Sequence, residues 1–278
     1  MAIKTEVLDR IPTYPGRVTL TPVSGQENTF DLVRADQPIE VGTPINKALF
    51  DQKAYTLTED VTVYVATTGN DLTGDGTSAL PYATIQKAVN SLPKWLDGHT
   101  ATIDIADGTY EGRVVLEGFH GGVVNLGVVG RAVTVRGIQV ISSATVRINV
   151  AEIVRAENVV GTLLAIRNRS DVVIGGRFVV DGMAAEISGI VAEANSTVSM
   201  ADSALLIVRN CAYNAVYATG GSRIALAGIA GSNNGVALRS DTGAMISYTS
   251  RSIVATTENI TTNGGRIYSG AQASIPSY

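Results

Sequence analysis

The chain has 278 residues, 45% of them hydrophobic but only 5% aromatic, with 29 glycines, one cysteine and a formal net charge of −4. That charge offers no basic footprint for nucleic acid, and no apolar run of about 18 residues is present to insert into a membrane. Cys211 stands alone, so no disulfide framework forms within the chain, and it reads as a small buried filler.

Residues 1–58 are punctuated by Pro12, Pro15, Pro22, Pro38 and Pro44, and all five lysines (Lys4, Lys47, Lys53, Lys87, Lys94) lie before residue 95. The start, MAIKTEVLDR, lacks the apolar run of a secretory signal, which points to synthesis in a cytoplasm. Short strands are expected at Arg17–Thr21 and Thr29–Val33. A short helix is expected near Pro44–Gln52, with Thr43 as N-cap and Pro44 at the first helical position. The segment has too little apolar content for its own core, so its order depends on docking elsewhere.

Residues 59–98 have a different texture. VTVYVA alternates as a strand from Val61, GNDLTGDGTS is a glycine-rich loop, and Ile85, Val89 and Leu92 mark an amphipathic helix ended by Pro93. A strand, loop and helix placed here suit a cap over the open end of a repeat array, which otherwise exposes apolar interior and unpaired backbone.

From residue 99 to 278 one pattern recurs. Aliphatic residues pair eight places apart at Val115/Val123, Ile138/Val146, Leu164/Val172, Ile190/Val198, Val216/Ile224 and Leu238/Ile246, and successive pairs start 23, 26, 26, 26 and 22 residues apart. The second member of most pairs opens an alternating couple such as Val172/Ile174. Alternation means strand, and this period means stacked repeats that bury one another's apolar faces. The expected fold is all-β: a single-stranded parallel β-helix, right-handed by the usual sense of parallel crossovers. Seven coils at about 4.8 Å each make a rod on the order of 34 Å.

A third strand in each coil carries consecutive apolar residues, as in Ile153-Val154, Phe178-Val179-Val180, Leu205-Leu206-Ile207-Val208 and Ile253-Val254. A strand apolar on both faces is usually covered on both. Ile153, Val154, Phe178, Val180, Leu205, Ile207 and Ile253 are therefore candidate oligomer-interface residues, with three copies about an axis as the expected assembly. A loop of the same chain is the other way to cover that sheet.

The stretch YVATTGNDLTGDGTSALPYATIQKAVNSLP (64–93) resembles the N-terminal cap of right-handed β-helix proteins of the pectate-lyase-like type, a group that includes bacteriophage tailspikes and tail fibres. Residues 8–52, and GTPINKALFD most specifically, resemble the N-terminal segment of structural proteins of phages and prophages of Gram-positive bacteria. The likeness is close over the cap and extends over the coils only by period. It implies a virion component made in a bacterial host: an attachment segment (1–58) joined to other virion proteins, a cap (59–98) and a projecting β-helix (99–278), assembled as a homotrimer. A tail-fibre or baseplate adhesin contacting host cell-surface polysaccharide is the expected role. A polysaccharide-degrading tailspike and a capsid head fibre or decoration protein are the alternatives.

The sequence offers little chemistry. Hydrolysis of a glycosidic bond needs two carboxyl groups about 5–9.5 Å apart. The candidates are Asp104, Asp107, Glu111 and Glu117 near the first coil, and Asp181, Glu186, Glu193 and Asp202 in the middle. Asp107-Gly108, Asp181-Gly182 and Asp241 in SDTG read as turns, and the coils lack long insertions from which to build a cleft. The expectation is therefore no catalytic residue. His99 and His120 lie in glycine-flanked loops without other ligands at metal spacing. The loop holding Asn70, Asp71 and Asp75 lacks the spacing of a calcium loop and reads as side-chain-stabilised turns. No metal and no cofactor are expected. The arginines are the more distinctive surface feature: Arg147, Arg167, Arg169, Arg177, Arg209, Arg223, Arg239, Arg251 and Arg266 recur through the coils. Guanidinium groups pair with carboxylates and bond sugars or phosphates in planar fashion. Arg223, Arg239 and Arg251 are the candidate surface ligand contacts, with salt bridges between coils or subunits as the plainer role.

Overall fold

The structure, a computed structural model, describes residues 11–12, 18–22, 24, 30–34, 38–40, 56–156, 161–201 and 204–270. The chain divides into two compact units, Met1–Ala54 and Tyr55–Tyr278. In the first, Val18–Pro22 pairs antiparallel with Phe30–Arg34, and Ile11–Pro12 pairs antiparallel with Pro38–Glu40. Both longer strands begin one residue later than the sequence suggests. The helix expected near Pro44–Gln52 lies outside the described residues.

The second unit is a parallel β-solenoid of about seven turns. Each coil contributes one strand to each of three parallel stacks. Sheet one runs Val61–Val65, Thr100–Ile105, Val123–Leu126, Thr145–Ile148, Asp171–Ile174, Thr197–Met200, 223–226, 245–248 and Arg266–Ser269. Sheet two starts at Gly108–Tyr110 and continues through Val133–Val135, Glu152–Val154, Arg177–Ala185 and Leu205–Cys211 into 228–231 and 250–253. Sheet three starts at Val114–Glu117 and continues through Ile138–Ile141, Gly161–Arg167, Ile187–Ala192 and Asn214–Ala218 into 236–240 and 257–261.

Parallel pairing without slippage places equivalent side chains of successive coils on top of one another. Val61, Ala101, Val124, Val146, Val172, Val198, Ile224, Ile246 and Ile267 form one such column. Val114, Ile138, Leu164, Ile190, Val216 and Leu238 form another on sheet three. From Val124 to Ile246 the first column is almost wholly shielded from solvent. Each such Val, Leu or Ile contributes about 1.5–3 kcal/mol relative to exposure.

Five of the six sequence pairs lie in these columns. The first does not: Val115 and Val123 are only half-buried, whereas Val114 and Val124 face the interior. The corner at 118–122 is longer than its successors because it folds Phe119 wholly inside.

The corners between sheets three and one hold a column of buried serines that periodicity alone does not reveal. Ser170 Oγ accepts the Ser143 N–H at 3.2 Å and donates to the Arg167 carbonyl at 2.6 Å. Ser196 Oγ accepts from Ser170 N at 3.3 Å and donates to Glu193 O at 2.8 Å, and Ser222 Oγ accepts from Ser196 N at 3.1 Å. A hydroxyl both accepts and donates, so one side chain satisfies the backbone where sheet pairing stops. The residues just before these serines are left-handed: Ala194 and Asn195 have φ of +57° and +59°, Gly220 and Gly221 +59° and +75°. Glycine takes that conformation without strain.

The two ends of the solenoid differ. At the start, the helix Ile85–Ser91 buries Ile85, Ala88 and Val89 over the first coil. Its N-cap Thr84 accepts the Lys87 N–H at 3.2 Å. Asp71 in turn accepts the N–H groups of Ala83 and Thr84 at 2.8 and 3.0 Å. Sheet three has no strand before Val114–Glu117 among the described residues, and a side chain takes that place. Gln86 Oε1 accepts the Val115 N–H at 2.7 Å, and its Nε2 donates to the Val115 carbonyl at 3.1 Å. The amide mimics a neighbouring peptide group and closes the edge. At the far end two columns turn polar: Leu238 pairs with Asn259 and Tyr248 with Ser269, both partners exposed, while Ile246 still meets Ile267.

Replacing Gln86 by alanine leaves both Val115 backbone groups unpaired at a partly buried edge. The expected loss of stability is about 1–3 kcal/mol, measured by urea denaturation. A loss under about 0.5 kcal/mol would refute the edge-pairing account.

Candidate functional site

The candidate carboxylates are mostly occupied by their own scaffold. Asp107 Oδ1 accepts the Ala132 N–H at 2.9 Å, so it is a turn residue. Asp104 lies 3.4 Å from Arg131, and Glu111 takes a forked bond from Arg136 with a closest approach of 2.8 Å. Glu193 pairs with Arg167, and Glu186 accepts from the Tyr213 hydroxyl at 3.2 Å. Glu117 is exposed. Asp202 lies outside the described residues.

Asp181 is the most shielded carboxylate of the set, with 6% of its surface exposed. Arg209 Nε donates to it at 2.7 Å, Asn210 Nδ2 at 2.9 Å and the Met183 N–H at 2.9 Å. Burial alone would raise its pKa, but these donors together outweigh burial and hold the carboxyl below the ordinary aspartate value. A carboxylate so held is a structural clamp between coils. It lacks the raised pKa that a general acid needs.

The polar loop residues, the histidines and the cysteine have local partners or packing. Asn70 Oδ1 accepts the N–H groups of Leu72 and Thr73 at 2.8 and 3.1 Å, and Asp75 Oδ1 accepts that of Thr77 at 2.9 Å. Those are side-chain-stabilised turns. His99 Nδ1 lies 3.5 Å from Asp60, while His120 packs its ring 5.9 Å from that of Trp95. Among the described residues no three His, Cys, Asp or Glu side chains are grouped to hold a metal. Cys211 is fully buried, and burial, with Asp181 nearby, pushes its thiol up to about 12. It fills space as an inert thiol.

Four of the described arginines tie coils together through ion pairs. Arg131, Arg136, Arg167 and Arg209 each meet a carboxylate from an adjacent coil, and Arg209 also lies 3.6 Å from Glu152. Of the three proposed surface contacts, Arg251 bonds Asn259 Oδ1 at 2.9 Å and the Glu258 carbonyl at 3.3 Å within its own coil. Arg239 lies over the Tyr217 ring at 4.9 Å and 3.8 Å from Asp241. Arg223 points outward between Thr197 and Met245 on sheet one and forms no ion pair among the described residues. The three stand on different parts of the surface and form no common site.

The two-faced strand is real, but the candidate interface residues divide between its faces. Ile153, Phe178 and Val180 are wholly buried, and Ile253 is 7% exposed; these belong to the solenoid interior and are not available to a second copy. Strand alternation sends their neighbours outward. Val154 and Ile207 are half-buried on the outer face and Leu205 is 39% exposed. Val179, which stands between Glu152 and Ile207 in register, lies on the same face but is only 5% exposed, and Val154 and Leu205 stack beside Asp181 and Arg177.

One feature that the sequence does not announce is a cleft of about 500 Å³ at a corner between sheets two and three. Ala212, Asn233, Asn234, Gly235, Val254, Ala255 and Thr256 line it. It arises from a length difference: Gly231 pairs with Ile253 and Asn234 with Ala255, so Ser232 and Asn233 stand opposite Val254 alone. The shorter corner leaves the preceding one uncovered. No carboxylate lines the cleft.

Compared with protein-family models, curated proteins and solved structures, the chain matches none.

The lowered pKa of Asp181 fixes the sign of a pH effect. Its stabilisation is complete above the ordinary aspartate value and is lost as pH falls through the lower folded-state value. Asp181→Asn should therefore cost on the order of 1–3 kcal/mol at neutral pH and lose less stability than the parent on acidification to about pH 3. Parallel denaturation curves for the two proteins check this.

Proposed function

We propose that the chain is a non-enzymatic structural protein of a bacteriophage or phage-like particle, a tail-fibre or baseplate adhesin that assembles as a homotrimer and meets the host surface through its β-solenoid. In this reading residues 1–58 attach to other virion proteins. The observation that carries the non-enzymatic part is the engagement of the carboxylates: apart from exposed Glu117, every described candidate is held in a turn, an ion pair or a hydrogen bond. The cleft likewise offers no acid or base at its walls. The particle assignment draws on the resemblance of 8–52 to phage and prophage structural proteins and of 64–93 to the cap of pectate-lyase-like β-helices, a group that includes phage tailspikes and tail fibres. The trimer draws on Val154, Leu205 and Ile207, apolar side chains partly or largely exposed on the outer face of a sheet already packed on its inner side.

Two measurements test this reading. Equilibrium sedimentation should give three times the 29.0 kDa chain mass, and Leu205→Glu with Ile207→Glu should shift it to the monomer. A parent protein that stays monomeric overturns the trimer. Antibody labelling of intact particles in electron micrographs should mark the tail end. Label on the capsid would favour a head fibre, and unlabelled particles would remove the virion assignment. Release of reducing ends or unsaturated sugars from envelope polysaccharide would favour the enzymatic alternative.

A further inference from the structure

The cleft at 212, 233–235 and 254–256 is an open corner of about 500 Å³, room for a small ligand to rest against its surface. Its chemistry is specific. No charged side chain lines it, so a phosphate or carboxylate gains no partner there. Asn233 and Thr256, whose side chains bear an amide and a hydroxyl, line it beside Asn234 and the small or apolar residues Ala212, Gly235, Val254 and Ala255.

The two asparagines play different parts. Asn234 is 3% exposed and fully engaged: its Nδ2 donates to Val208 O at 2.9 Å and its Oδ1 accepts from Cys211 N at 3.2 Å. It fixes the floor. Asn233, itself exposed, ends a corner column that starts at buried Asp181, in which Asn210 donates to Asp181 at 2.9 Å and Asn233 donates to Asn210 at 3.1 Å. The next coil supplies Val254 and Ala255 at this corner, so the column ends with Asn233 Oδ1 accepting no bond among the described residues. Gly235 lets the two coils approach closely here: a Cβ there would lie 2.0 Å from the Ala212 carbonyl oxygen.

We propose that this cleft is a binding site for one or two residues of a neutral glycan. A sugar ring presents hydroxyls that both donate and accept, matching an amide oxygen and a threonine hydroxyl, and an apolar C–H face that suits Val254 and the alanines. The absence of a catalytic group makes it a recognition site without turnover. As to where such a glycan is met, the proposal rests on the host-contact reading above; the binding itself does not.

The test is ligand-observed NMR on the full chain with lactose and N,N′-diacetylchitobiose as neutral probes and digalacturonate as the charged comparator. At least one neutral probe should bind saturably with Kd on the order of 1 mM, and more tightly than digalacturonate. Thr256→Trp, at an exposed position, fills the cleft from its rim, and Asn233→Gly removes the amide while tolerating its left-handed φ of +57°. Each should weaken binding by about tenfold or more. Absence of saturable binding, equal binding of digalacturonate, or unchanged binding in both variants overturns the proposal. None of these outcomes alters where antibody labels the particle, so the two readings fail separately.

Discussion

The pairing of each coil with the next, residue over residue, is the constraint on which this structure depends. Parallel strands that stay in register put Val146 over Val124 and Val172 over Val146, so a choice made at one position is repeated in the next coil. The same geometry stacks polar residues. The serine column from Ser143 to Ser222 and the corner column from Asp181 to Asn233 are products of register, as are the arginine pairs between adjacent coils. Exposed ion pairs contribute little singly. Their value here is positional, because a pair linking two coils resists slippage that would send every inward side chain to the wrong face.

Such a stack carries a liability at its ends, where apolar columns and backbone edges stop abruptly. The molecule meets it differently at each end. The beginning is covered by a helix whose Gln86 substitutes for the missing strand. The end of the stack carries Asn259 and Ser269 where the preceding coil carries Leu238 and Tyr248, so part of the interior becomes hydrophilic as it opens. Growth by further coils is thereby discouraged without a folded lid over the described residues.

The surface follows from the same economy of parts. A solenoid with short corners has few places to build a cavity, and the cleft near Asn233 exists because one corner is a residue shorter than its neighbour.

Much of this was legible in the residues themselves. The period and alternation identified the coil, the capping helix and five of six core pairs, because an in-register stack imposes its spacing directly on hydrophobicity. The conversion of Asn70 and Asp75 into turns was also readable, since those bonds are local. What tertiary structure alone decided concerns residues a coil apart. A consecutive pair such as Phe178-Val179 does not say which member faces inward; register and the neighbouring corner do. Val115 was misassigned because the fold of Phe119 into the first corner lengthens it. The serine column, the Gln86 amide and the cleft depend on which backbone groups are left unpaired when coils stack. That is a property of three-dimensional closure, and no spacing of residue types along the chain encodes it visibly.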